Sequence, residues 1–346
     1  MPETMKAYVY ESANKAVLKD VPLPKTGGRD VLVKVKAVGI CHTDLMVLTG
    51  VNIVPVPFPF IGGHEWAGEV VSVGSDVTTF KPGDRVVGEG NSGCGSCKIC
   101  QDGHEDYCAV EPVQRGINTD GAFAEYYSLP ARLAHKIPDA MDWITASVIE
   151  PFSVAYNGIR AIGGCDPGDT VFVSGGGSIG LCAVAAAKAS GARVILSEPQ
   201  AFRRAAAGTF GADYTLDPAA EDVVKTTKTL TGGFGADIVI EASGSADCMK
   251  QALDVARNNG RVSYIGVNVG REILVEIGKI QMRGIRVQGV LGSPSVWGRT
   301  VDFLEQSKLD ISRLSTHRFP LSEIDKAFDF ARNVKNNNFI KVTVVL

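Results

Sequence analysis

Residues 171–198 read VFVSGGGSIGLCAVAAAKASGARVILSE, and this stretch decides the fold. Its first three residues are apolar and suit a short strand buried on both faces of a parallel sheet. Gly175, Gly177 and Gly180 then follow in G-x-G-x-x-G spacing. That spacing permits a tight turn, close approach of a pyrophosphate, and close packing of the next helix on the strand. The Ala-rich run 179–190 carries one charge, as a helix laid on a sheet should. Its first amides form an anion site, so Gly175, Gly177, Ser178, Ile179 and Gly180 are the candidates to hold a dinucleotide. After Gly191 a second apolar strand, 194–196, closes on Glu198, whose carboxylate can take both hydroxyls of an adenosine ribose. Glycine-rich turns are common, but strand, glycines, helix, strand and terminal acid in this order point to dinucleotide binding.

Outward from this stretch the pattern continues. Apolar runs at 238–240, 262–265 and 287–290 alternate with helical stretches from about residue 152 to 291, which predicts a doubly wound parallel sheet. The first 150 residues read differently. Short β-branched runs at 7–10, 31–38, 69–73 and 85–87 are separated by turn signals such as Lys81-Pro82-Gly83-Asp84, which suggests a compact β-rich domain. The tail from residue 293 shows helices at 301–306 and 323–334 and a final strand at 341–345, and is expected to return to the first domain.

A length of 346 residues allows two domains with separate cores. The net charge of −3 gives no footprint for nucleic acid or an anionic membrane, and no apolar run approaches a membrane span. The chain has eight cysteines and its start shows no basic-then-apolar signal, so a reducing compartment, the cytoplasm, is expected.

Cys94, Cys97, Cys100 and Cys108 stand in C-x2-C-x2-C-x7-C spacing. Four thiolates on such a loop suit tetrahedral zinc in a closed structural site; an iron–sulfur cluster is the rival, though nothing else suggests one-electron chemistry. Cys41 and His64 are 23 residues apart and alone would mean little. Their surroundings matter more: Cys41 in GICHTD follows an apolar strand, and His64-Glu65 follows Gly62-Gly63. Glu150 adds a carboxylate where the first domain ends. Thiolate, imidazole and carboxylate with one open position describe a catalytic zinc.

With these residues in hand, the chain resembles the zinc-dependent medium-chain alcohol dehydrogenases over essentially its whole length. Gly63-His64-Glu65 with Gly68 and Gly74, then Gly83-Asp84-Arg85-Val86, the four-cysteine lobe and the glycine fingerprint carry the likeness. The segments 121–126, 149–154 and 197–199 are most similar to the polyol branch, which includes sorbitol, butanediol, threonine and inositol-derivative dehydrogenases. The resemblance implies an α/β protein: a GroES-like β-rich catalytic domain (1–151, completed by 293–346), a Rossmann cofactor domain (152–292), and an active cleft between them. It implies Cys41, His64 and Glu65 as zinc ligands, with Glu150 binding the metal or its water. Thr43 becomes the hydroxyl that takes the alcohol proton, and His42 a contact to the cofactor pyrophosphate. Two zinc ions per chain, NAD, a small alcohol or ketone substrate and a homodimer or homotetramer follow.

One position departs from many relatives: Met46 stands where they carry a relay histidine. Arg203 and Arg204, just after Glu198, read as a solvated helix face or as adenine stacking, because a 2′-phosphate would meet the Glu198 charge. His104 and His135 read as loop polar groups, and Cys165, Cys182 and Cys248 as packing residues. The expected reaction is oxidation of a secondary alcohol, of polyol, vicinal-diol or cyclitol type, by NAD. Threonine 3-dehydrogenation and general alcohol oxidation are the alternatives, and a zinc-free NADPH-binding role is disfavoured by the two zinc constellations.

Overall fold

A computed structural model describes residues 2–51, 55–268, 270–334 and 336–346. The chain divides into two compact units: one holds the residues up to Glu150 with Trp297–Gln306 and Asp310–Leu346, the other Pro151–Val296 with Ser307–Leu309.

In the second unit six strands run parallel. Their order across the sheet is Tyr214–Leu216, Arg193–Ser197, Thr170–Ser174, Ala236–Glu241, Ala256–Tyr264 and Arg286–Gly289. Numbered along the chain, that is 3-2-1-4-5-6, the doubly wound order, with its switch point between Thr170–Ser174 and Ala236–Glu241. Every residue of Thr170–Ser174 is buried, as a central strand covered on both faces requires. The helix Ser178–Ala189 buries Gly180 to Ala187 without a break, so alanine side chains bring its axis close to the sheet. Two strands extend beyond or outside the sequence reading. Tyr214–Leu216 lies at an edge with two of its three residues exposed, so no apolar run marked it. Ala256–Tyr264 begins six residues earlier than 262, in the polar run ARNNG.

The first unit is β-rich. Lys15–Pro22, Thr4–Ser12 and Phe60–Ile61 form a three-stranded antiparallel sheet. A larger sheet is ordered Ala134–Lys136, Arg85–Gly88, Glu65–Val73, Asp30–Ile40, Lys341–Val345 and Ser315–Pro320, with Tyr126–Pro130 also paired to Asp30–Ile40. The C-terminal strand thus lies beside the strand that precedes Cys41, in the register Val342↔Ile40. Helix Ile324–Arg332 seals the core by pressing Phe328 against Tyr8, Tyr10 and Phe123, at ring separations of 5.2, 6.2 and 5.5 Å. Burial of one such phenyl ring contributes about 1.5–3 kcal/mol.

Candidate active site and metal centres

Cys41 leaves the strand Asp30–Ile40 and caps the helix His42–Leu48 in an extended conformation. Its backbone N–H donates to Asp44 Oδ2 at 2.8 Å, so the third residue of the helix fixes the entry of the chain. Gly63 turns the other loop at φ +94°, and its carbonyl accepts from Ala122 N–H at 2.8 Å. A side chain there would strike Phe123 at 2.9 Å, so His64 reaches its place only because the backbone passes so close. Glu65 then opens the strand Glu65–Val73 opposite Gly39. A Cβ on Gly39 would lie 2.2 Å from Glu65 Oε2, so this glycine makes room for the carboxylate.

The outcome is a cluster: ligand atoms of Cys41, His64 and Glu65 lie within 4.8 Å of one another. Glu150, second in the helix Ile149–Arg160, is half-buried and stands outside that tight group. Burial pushes its carboxyl up to about 7, with His64 drawing it down and Glu65 pushing it further up. Thr43 is half-buried and His42 exposed, both on the first turn after Cys41, with Met46 one turn on.

Two residues of this site were missed in the sequence. Asp44 is fully buried and places Oδ1 3.5 Å from His64 Nδ1. Its position three after Cys41, where an acid caps a helix, was a readable signal. Lys341, in the C-terminal strand, donates Nζ to Glu65 Oε1 at 2.6 Å and to Ile40 O at 3.3 Å, with side chains 5% and 1% exposed. Nothing local in the sequence points to it, since its partner is 276 residues away. Burial works to lower the Lys341 pKa, but Glu65, Cys41 and Glu150 outweigh it and keep the ammonium charged.

The donor set fits a zinc ion. Glu65 Oε2 is buried with no hydrogen-bond partner, and Nδ1 of His64 faces Asp44, which leaves Nε2 as a metal-binding nitrogen. Burial alone would lower the His64 pKa, yet the charges of Asp44 and Cys41 raise it well above its usual value. A field that draws a proton onto a buried ring also receives a metal cation in its place.

The second centre is the lobe after Ser92. Cys94, Cys97, Cys100 and Cys108 bring their sulfurs within 4.8 Å of one another, and none forms a disulfide. The sulfur separations, 3.4 Å for Cys97–Cys100 and 4.0 Å for Cys94–Cys100, bracket the about 3.8 Å edge of a tetrahedron with Zn–S of ~2.3 Å. Amides of Cys97, Cys94 and Glu111 donate to these sulfurs at 3.3–3.4 Å, which stabilises thiolates. A Cβ on Gly93 would sit 2.4 Å from Cys100 Sγ, so the loop can close only with glycine there.

In the parallel-sheet unit, Gly175 takes φ +96° and Gly177 caps Ser178–Ala189. A Cβ on Gly180 would lie 1.8 Å from the Gly175 carbonyl oxygen, so the third glycine permits the helix to approach. Glu198 is 4% exposed and is oriented by two amides: Gly176 N–H donates to Oε2 at 2.7 Å and Gln200 N–H to Oε1 at 2.8 Å. Arg204 donates to the carbonyls of Glu198 and Pro199 and pairs with Asp217 at 2.8 Å, so its guanidinium is committed to the backbone. Arg203 lies over Gly176, where an added Cβ would meet its own Cβ at 3.2 Å. Among the remaining histidines, His135 holds Glu89 at 2.8 Å and stacks on Trp297, while His104 meets Tyr107 edge-on.

Comparison with known proteins agrees with this geometry. Residues 27–139 match the alcohol dehydrogenase GroES-like domain, and residues 178–306 the zinc-binding dehydrogenase domain. A sorbitol dehydrogenase of Bacillus subtilis (strain 168) is 34% identical over 339 residues, covering 97% of this chain and 96% of the relative. An L-threonine 3-dehydrogenase of Bacillus licheniformis is 37% identical over 338 residues, covering 96% and 97%. A zinc-binding dehydrogenase from Sinorhizobium meliloti 1021, solved bound to NADP, superposes with a TM-score of 0.93 at 36% identity over 100% of both chains. The chain belongs to the zinc-dependent medium-chain dehydrogenase family. Its first unit is the GroES-like part and its second the Rossmann-like part, and it is an oxidoreductase of that family.

Proposed function

We propose that this chain oxidises a secondary alcohol of polyol, vicinal-diol or cyclitol type to its ketone, reversibly, with NAD and two zinc ions. Residues 1–151 with 293–346 form the catalytic part and 152–292 the cofactor part. The observation that carries the reading is the cluster of half-buried Cys41 with buried His64 and Glu65, and a second carboxylate, Glu150, coupled to it by charge. Such a donor set is harder and more polar than one built on two cysteines. It can accept a neighbouring hydroxyl of the substrate, which anchors a diol and orients its carbinol hydrogen.

Cys41, His64 and Glu65, with Glu150, would hold the catalytic zinc. When bound, zinc supplies Lewis acidity that lowers the alcohol pKa, and NAD supplies the hydride acceptor. The chain does the rest. Thr43 takes the hydroxyl proton on Oγ1, and the exposed His42 beside it passes that proton outward, in place of the histidine that Met46 replaces. Asp44 holds the His64 ring, and Lys341 holds one oxygen of Glu65 and so fixes the carboxylate inside the fold. Cys94, Cys97, Cys100 and Cys108 hold a second, structural zinc.

For the cofactor, Glu198 supports NAD over NADP: a 2′-phosphate would meet its charge, and Arg204 is already engaged by carbonyls. The NADP in the Sinorhizobium relative makes comparison of kcat/KM for the two cofactors the deciding measurement. Equal values, or a preference for NADP, would assign the site to Arg203. For the substrate, a panel of 2,3-butanediol, sorbitol, myo-inositol derivatives, threonine, ethanol and 2-butanol, followed by NADH formation, decides the class. Diols and polyols are expected to lead; preference for ethanol or 2-butanol would leave only a general alcohol dehydrogenase. The threonine reading is favoured by the 37% identical relative, and threonine leading the panel would establish it.

A homo-oligomer built on the strand Arg286–Gly289 accompanies this reading. That strand ends the parallel sheet, all four of its residues are exposed, and Met282 nearby is 83% exposed. An open sheet edge of this kind can pair with a second copy about a twofold axis.

A further inference from the structure

Glu241 is the last residue of the strand Ala236–Glu241 and is fully buried. It stands beside Ser174 in the register of the two strands between which the sheet order reverses. Among the described residues no cation pairs with it, and a buried carboxylate in that condition needs other donors around it. The donors come from the loop that follows. Ser243 N–H donates to Oε1 at 2.9 Å and Gly244 N–H at 3.1 Å, and the Ser243 hydroxyl donates to the same oxygen. Ser243 Oγ in turn accepts from Ser245 N–H at 3.1 Å. Glycine makes room for the second oxygen: a Cβ on Gly266 would lie 2.4 Å from Glu241 Oε2 and 2.2 Å from Gly244 N. The loop so held presses on the glycine turn after the central strand, where a Cβ on Gly175 would meet Ser243 Cα and Cβ at 3.0 Å. Asn268 closes the other side by donating Nδ2 to Gly244 O at 2.9 Å. One buried carboxylate therefore gathers the chain after three neighbouring strands, Thr170–Ser174, Ala236–Glu241 and Ala256–Tyr264, at their carboxyl ends.

We propose that Glu241 is a positioning residue for the nicotinamide half of the cofactor: its carboxylate sets the Ser243–Gly244 turn against Gly175 and Gly266, where that half is received. The placement follows from the other end of the dinucleotide. Glu198, just past Arg193–Ser197, takes the adenosine ribose, and the amides opening Ser178–Ala189 face the pyrophosphate. A dinucleotide lies across the point where the strand order reverses, so its remaining half falls on the side of Ala236–Glu241. A turn held in advance presents a fixed surface, whereas a loose one must be ordered by the ligand at a cost in affinity. The reach of the carboxylate matters more here than its charge, because two amides and a hydroxyl meet on one oxygen. The inference rests on the dinucleotide reading of the second unit.

The test measures binding to the full chain, with NADH and AMP as probes. AMP carries only the adenosine end and one phosphate, so it reports the Glu198 side alone. Glu241→Asp keeps the charge and withdraws the acceptor by one methylene, whereas Glu241→Gln keeps an oxygen at the same reach and loses the charge. Glu241→Asp should weaken NADH about tenfold, as for a turn in its binding form about a tenth of the time, and leave AMP within about twofold of wild type. Glu241→Gln should bind both probes as wild type does. Ser243→Ala removes the hydroxyl that joins Glu241 to the Ser245 amide, at an exposed position outside the core. It should show the same split at about threefold, and it decides the matter if Glu241→Asp does not fold. Equal weakening of NADH and AMP would make the residue structural only and overturn the proposal. Wild-type NADH binding in Glu241→Asp, or in Ser243→Ala where that variant decides, would overturn it too, as would a loss in Glu241→Gln as large as in Glu241→Asp. A wild-type chain that binds neither probe would instead defeat the dinucleotide reading beneath it.

Discussion

Lys341 and Glu65 show how one pair can join distant parts of a fold to its chemistry. The pair lies at 2.6 Å, almost fully buried, with the ammonium supplied by the last strand and the carboxylate by a strand that starts at the site. Replacing one partner of a buried pair destabilises by about 3–5 kcal/mol, because the other charge is left without compensation. Lys341→Met in the metal-free chain should therefore lower Tm markedly, and adding Glu65→Gln should recover part of the loss. An unchanged melting curve for the single variant would show that Glu65 finds another cation. At this scale the clustering of Cys41, His64 and Glu65 was legible because Cys41 and His64-Glu65 sit in short glycine-flanked motifs. Lys341 was not, because only the sheet register Val342↔Ile40 and Gly39↔Glu65 brings it there.

Elements differ in how their interactions respond to metal and to pH. The cysteine lobe has only short helices, Lys98–Gln101 and Glu105–Tyr107, and little apolar core, so a metal held there would contribute folding energy directly. Cys97→Ser should cut the zinc content by one ion per chain and lower Tm; unchanged values of both would refute a structural zinc. The strand Ala236–Glu241 offers a pH test. Glu241 is fully buried, accepts from Ser243 N–H at 2.9 Å and Gly244 N–H at 3.1 Å, and has its carboxyl raised above 4.5 by burial. The folded state therefore keeps a proton that the unfolded chain has released, and this group's stabilisation is lost as pH rises through the raised folded value. Glu241→Gln removes the titration while keeping an acceptor oxygen. The Tm of this variant relative to wild type should become more favourable as pH rises from 4.5 through the raised folded value, and a difference independent of pH would contradict the assignment. The central strands were legible as apolar runs because both their faces are covered. Lys15–Pro22 and Tyr214–Leu216 were not, because edge strands that alternate or face water carry no such run.

At the scale of the molecule, a parallel sheet carries the glycine turn and Glu198, and a separate β-rich unit carries two clusters of side chains suited to hold metal. The change from short β-branched runs to alternating strands and helices falls near Glu150, where the first stretch of one unit ends. The parts of the second unit contributed by 307–309 were not legible, because a contact with distant chain leaves no local pattern. Among the described residues no helix is long and apolar enough to cross a membrane. The central claim is that the Cys41 cluster holds the zinc on which NAD-linked alcohol oxidation depends. Its most direct test is zinc content and NADH formation from 2,3-butanediol, measured together on wild type and Cys41→Ala. The account predicts two zinc ions per wild-type chain and one in the variant, an intact fold, and a rate lowered by about a hundredfold or more, beyond the loss from removing an outer partner. A Cys41→Ala protein that keeps the wild-type rate would contradict it.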